Sequence, residues 1–144
     1  MIAIDTNVLL RYLLRDDKMQ AAKADKFING SSHVLITDVV LVETVWTLTG
    51  KKYRLGKTAI IGVLDSLFEE PNIWFEAAQT VWRALNDYRQ AKPVKVGNKK
   101  KAADLPDALI VNKAKFYAVT EGQTLNGVYT FDRAAQLIPG TASP

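Results

Sequence analysis

Short apolar runs, separated by longer stretches in which apolar residues recur every three or four positions, set the layout of this chain. The runs Ile2–Ile4, Val34–Ile36, Ile73–Phe75 and Val128–Phe131 are continuous rather than alternating, the pattern of strands buried on both faces. Between them helices are predicted over Val8–Leu14, Met19–Ile28, Asp38–Leu48 behind a Thr37 cap, and Thr58–Glu69 ending before Pro71. Two more are predicted over Glu76–Ala91 and Pro106–Ala118. Strands joined through helices require crossover connections, so the expected class is α/β, a mostly parallel sheet with helices on both faces. No repeat, low-complexity tract or linker interrupts the pattern. One domain over residues 1–139 is expected, with the glycine- and lysine-rich stretch 92–103 as a loop within it and Gly140–Pro144 as a frayed tail.

The acids stand at telling places in this layout. Ligands of an open parallel sheet bind beyond the carboxyl ends of its strands. MIAID places Asp5 directly after the first strand, and VYTFD places Asp132 directly after the last. Each also suits the cap of a following helix. Glu43 lies in DVVLVETVWTL with Val39, Val40, Trp46 and Thr47 three and four positions away, so it is expected on a largely apolar face. There an ionised carboxylate costs several kcal/mol unless a cation or donors meet it. In ADLPDALIV, Asp104 and Asp107 have the spacing of a capping box around Pro106, at the start of a helix that points from the sheet edge.

Composition narrows the chemistry. The 144 residues are 48% hydrophobic and 24% charged, as in a soluble globular protein. No run reaches the about 18 apolar residues of a membrane span, and no basic segment followed by an apolar one opens the chain, so a cytoplasmic protein without membrane contact is expected. There is no cysteine, and His33 is the single histidine, which excludes thiolate chemistry, cysteine zinc sites and a two-histidine ribonuclease mechanism. Asp and Glu must carry the chemistry. Four convergent carboxylates without a cation would repel one another, and oxygen donors alone suit Mg²⁺ or Mn²⁺. Metal-assisted hydrolysis of a phosphodiester follows, in which the ion activates water and offsets developing charge. The net charge of +4 is local: KPVKVGNKKK, residues 92–101, holds five lysines and no acid, leaving 14 basic against 15 acidic residues elsewhere. GKKYRLGK, residues 50–57, is a second basic stretch. Each is read either as a solvated loop or as a rim that contacts phosphates.

Four segments in order, DTNVLLRYLLRDD, LVETVWTL, DLPDALIV and YTFDRAAQL, resemble the PIN-domain ribonucleases, and among them the VapC-type toxins of type II toxin–antitoxin systems. The likeness runs from Ile4 to about Leu137. It implies a three-layer α/β/α sandwich, and a Mg²⁺- or Mn²⁺-dependent endoribonuclease acting on RNA such as tRNA or rRNA. It also implies a homodimer and a cognate antitoxin. By the same resemblance Asp5, Glu43, Asp107 and Asp132 match the main acids and Asp104 an accessory one. Thr6, Asn7 and Thr130 match small polar positions that orient ligands or water. The chain departs from the family pattern in the basic run before Asp104 and in DALIVNKAKF, where small residues usually continue.

Other readings compete with this one. A PIN-type nuclease of RNA processing or of DNA would carry the same acids. A non-catalytic RNA-binding module would use the lysines alone. A phosphoacceptor signalling domain would need an Asp after a middle strand, whereas the third strand ends in Glu76 and Glu43 would have no role. Lys99, Lys100, Lys101 and Arg11 are candidate RNA contacts, with Arg15 and the 50–57 stretch open to RNA or antitoxin. Trp46, Trp74 and Trp82 are expected in the core or in a dimer contact.

Overall fold

The computed structural model describes residues 1–144, which fall into two compact units, Met1–Ala78 and Gln79–Pro144. The first unit begins with strand β1 (Ile2–Ala3), helices α1 (Thr6–Leu14) and α2 (Lys18–Ile28), and strand β2 (Val34–Ile36). Helices α3 (Asp38–Thr49) and α4 (Lys57–Glu69) and strand β3 (Ile73–Phe75) complete it. The strands form one parallel sheet in the order β1-β2-β3, with Ile2 opposite Val34 and Val34 opposite Ile73. Val34 and Ile36 are fully buried, as the unbroken apolar runs require. Each crossover contains two helices. α1 packs on α2 and α3, and α3 on α4, which is expected when two crossovers of one hand step in the same direction.

Local chemistry sets the helix starts. Asp5, Asp17 and Thr37 lie in extended conformation and accept hydrogen bonds from the amides of Val8, Gln20 and Val40, so each caps its helix. The core is mainly aliphatic: Leu9, Ile28, Ile36, Leu41, Leu48, Ile60, Leu64 and Leu67 are all fully buried, each contributing about 1.5–3 kcal/mol of transfer free energy. The helix expected from Glu76 begins later, because the Glu76 amide donates to the Ile36 carbonyl and continues the sheet ladder.

The second unit contains most of helix α5 (Ala78–Gln90), followed by strands β4 (Val94–Val96) and β5 (Lys99–Lys101) and helix α6 (Leu105–Thr120). Strand β6 (Val128–Tyr129), a 3₁₀ turn (Ala135–Leu137) and strand β7 (Thr141–Ala142) follow. Val81, Ala84, Leu85 and Tyr88 form the buried stripe of α5. The buried Asn112 of α6 donates to Asp87 of α5 at 2.7 Å and to the Ala108 carbonyl at 2.9 Å.

Three expectations are corrected here. The stretch 92–103 is not a loop: β4 and β5 pair antiparallel around Gly97-Asn98, with Gly97 at φ +61°, the left-handed value a two-residue hairpin loop needs. Gly140–Pro144 is not frayed, since β7 pairs parallel with β6. The strand expected at 128–131 stops at Tyr129, where the chain turns toward Asp132, and its hydrogen-bonded partner is β7.

Candidate active site

In the first unit, Asp5 occupies the place its sequence position suggests. The ladder bond from the Ile4 amide to the Leu35 carbonyl ends the strand, and Asp5 then caps α1 through Oδ1, which accepts from the Val8 amide at 3.0 Å. Oδ2 has no backbone donor. Thr6, the next residue, donates its hydroxyl to Glu43 Oε2 at 2.6 Å. That bond joins the start of α1 to the middle of α3, so the first two acids of the sequence reading are linked through one threonine.

The surroundings of Glu43 differ from expectation. The residue is exposed, and so are Val39 (66%) and Trp46 (59%) on the same side of α3. The face is apolar, as read, but it looks out to solvent, and the carboxylate carries no burial penalty. Trp74 (48%) and Trp82 (47%) are likewise half exposed, so none of the three tryptophans is a core residue. Trp74 instead stacks on His33, with ring centroids 3.9 Å apart.

A groove of about 410 Å³ opens beside Asp5 between α1 and α2, lined by Asn7, Val8, Lys23, Ala24 and Phe27 among others. Arg11 also lines it, but its guanidinium is engaged: Nη1 donates to both oxygens of Asp16 at 2.7 Å, and Nε donates to Gln20 at 2.9 Å. Glu76 is a residue the sequence reading did not assign to the site. Its Oε2 accepts from the Asp38 amide at 2.7 Å and so ties the end of β3 to the start of α3. The signal for it was present, since every strand of this sheet is followed within two residues by an acid: Asp5, Asp38 and Glu76.

In the second unit, Asp104 and Asp107 form a reciprocal capping box. The Asp107 amide donates to Asp104 Oδ1 at 2.8 Å, and the Asp104 amide donates to Asp107 Oδ2 at 3.0 Å. Burial, reinforced by the charges of Asp104 and Asp132, raises the Asp107 carboxyl to about 6, against the lowering effect of the amide bond it accepts. Asp132 is fixed through its own loop: Oδ1 accepts from the amides of Ala134 (2.8 Å) and Ala135 (3.2 Å), while the Asp132 amide donates to the Thr130 hydroxyl (3.0 Å). Gln136 closes the loop by donating to the Thr130 carbonyl at 2.8 Å.

One pattern recurs at all five acids. Each commits one oxygen to a protein donor and leaves the other without a backbone partner. Neither unit by itself groups three or more acidic or histidine side chains within metal-binding range. Asp5 and Glu43 lie in the first unit, and Asp104, Asp107 and Asp132 in the second.

The PIN domain family model matches residues 2–138. The chain belongs to the PIN domain family, whose members are in general metal-dependent nucleases that use divalent ions such as Mg²⁺. Curated proteins give no match to it. The expected α/β class is borne out by the family match and by the parallel sheet. No helix is long and apolar enough to cross a membrane.

Proposed function

We propose that this PIN domain is an endoribonuclease and the toxin of a type II toxin–antitoxin pair, acting on tRNA or rRNA. Under this reading it is a cytoplasmic homodimer restrained by a cognate antitoxin. The observation that carries the nuclease reading is the half-committed carboxylate at Asp5, Glu43, Asp104, Asp107 and Asp132. A carboxylate with one oxygen held by an amide or a hydroxyl keeps its orientation, and the second oxygen remains for a ligand.

These residues fit a hard divalent cation. The donors are all oxygen, as Mg²⁺ and Mn²⁺ prefer, and a cation would relieve the Asp107 carboxylate, which burial disfavours first and the charges of Asp104 and Asp132 further. The residues proposed to hold the ion are those the family resemblance names: Asp5, Glu43, Asp104, Asp107 and Asp132. When bound, such an ion supplies an activated water and neutralises charge on the phosphate. The chain's own part is positioning. Thr6 fixes Glu43, Thr130 and the 3₁₀ turn fix Asp132, and the α6 capping box fixes Asp104 and Asp107. Asn7, exposed on the groove beside Asp5, would orient a ligand or water.

Cleavage of a mixed tRNA and rRNA substrate in Mg²⁺ or Mn²⁺ tests the reading. EDTA, and separately Asp5→Asn, should each lower the rate at least about 100-fold, the scale of losing a charge-stabilising group. Cleavage that survives both would refute it.

A further inference from the structure

The feature that the acid site leaves unused is the β4–β5 hairpin. It carries Lys95, Lys99, Lys100 and Lys101, with Lys92 just before it, and all five are exposed. None of them forms an ion pair, and the stretch contains no acid. The register makes this crowding deliberate. Lys95 lies directly opposite Lys100, so two like charges share one face, while Lys99 and Lys101 share the other with Val94 and Val96. Directly opposed like charges weaken a hairpin, and a two-stranded ribbon is marginal to begin with. A counter-charge supplied from outside would remove the conflict.

Both ends of the ribbon are anchored, at the buried Ala91 and the buried Ala103. Asp104 stands only three positions beyond Lys101, at most about 10 Å of chain. The lysines therefore stand at the doorstep of the α6 acids within the same unit.

We propose that the Val94–Lys101 hairpin is an arm that grips the phosphate backbone of the RNA substrate and guides it to the Asp104–Asp107 end of α6, without reading its sequence. This rests on the nuclease reading for the identity of the substrate. The side-chain chemistry selects the partner. Lysine is a point charge suited to phosphate, whereas paired carboxylates of an acidic protein are better held by the arginine fork, which the hairpin lacks. Protein interfaces are poor in lysine and anchored by aromatic residues, and the hairpin has none. Contacts to phosphate position a nucleic acid but do not specify it.

The test is equilibrium binding of short oligo(U) and oligo(A) RNA to the full chain in EDTA, between about 50 and 200 mM salt. A variant combining Lys95→Gln, Lys99→Gln, Lys100→Gln and Lys101→Gln should weaken binding at least about tenfold and to the same degree for both RNAs. It should also lower the slope of log affinity against log salt by about 2–3. The same four positions changed to Arg should keep both affinity and slope, which guards against a glutamine variant that fails to fold. An unchanged slope in the glutamine variant, a loss confined to one RNA, or a lost slope in the arginine variant would overturn the proposal. Binding in EDTA is independent of cleavage. A reduced slope in a protein that cuts no RNA would uphold the arm and refute the nuclease, and cleavage with an unchanged slope would do the reverse.

Discussion

Asp107 shows at the scale of one residue how a structural and a chemical role coexist. Its carboxylate caps α6, yet it is half buried beside Asp104 and feels Asp132, so its ionised form is disfavoured and its carboxyl rises to about 6. At pH 7 the metal-free protein bears that penalty, about 1–2 kcal/mol once solvent screening at a half-buried site is allowed for. Asp107→Asn keeps an oxygen for the Asp104 amide and removes the charge. It is expected to raise the thermal midpoint in EDTA while abolishing cleavage, measured by thermal denaturation beside the RNA assay. A lower midpoint would mean that the charge is already compensated. The roles of Asp5, Asp104, Asp107 and Asp132 as caps were legible in the sequence, because capping depends only on residue type and local spacing. The exposure of Glu43 was not. Apolar neighbours at helical spacing mark an apolar face, but Val39 and Trp46 show that such a face can look outward.

At the scale of elements, β1, β2 and β3 were readable because strands buried on both faces need unbroken apolar runs. The β4–β5 hairpin was not, since lysine is a poor strand former and Lys99–Lys101 offers no alternation. Its one local signal was Gly97-Asn98 behind the alternating Val94-Lys95-Val96. The α1–α2 joint is likewise a matter of polar detail. Arg11 binds Asp16 and Arg15 binds Asp25, both at 2.7 Å, and these hydrogen bonds hold the two aspartates below their usual range. A depressed carboxyl contributes stability above its unfolded pKa of about 3.9 and loses it as pH falls through the folded value. Amide exchange of α2 should therefore accelerate, relative to the rest of the first unit, below about pH 4. The double variant Asp16→Asn, Asp25→Asn should show the faster exchange already at neutral pH. Equal rates in the two proteins at pH 7 would show that the pairs hold nothing in place.

At the scale of the whole molecule, one family match runs across both compact units, and the acids that the resemblance names are divided between them in sequence. The charge is divided as unevenly as the sequence indicated, with the surplus concentrated on the hairpin. The last residues also take part in the fold. Gly140, just before β7, and Ala142 within it supply the carbonyls that accept from the amides of Val128 and Thr130, and the Thr130 hydroxyl in turn accepts from the Asp132 amide. A variant ending at Pro139 would lack those acceptors and leave the loop around Asp132 without its backing. That truncation is expected to slow RNA cleavage while leaving the helical signal largely intact, which circular dichroism and the cleavage assay together would report. Residues 140–142 thus act as a brace, keeping in place a segment that carries an acid eight positions before the first of them in the chain.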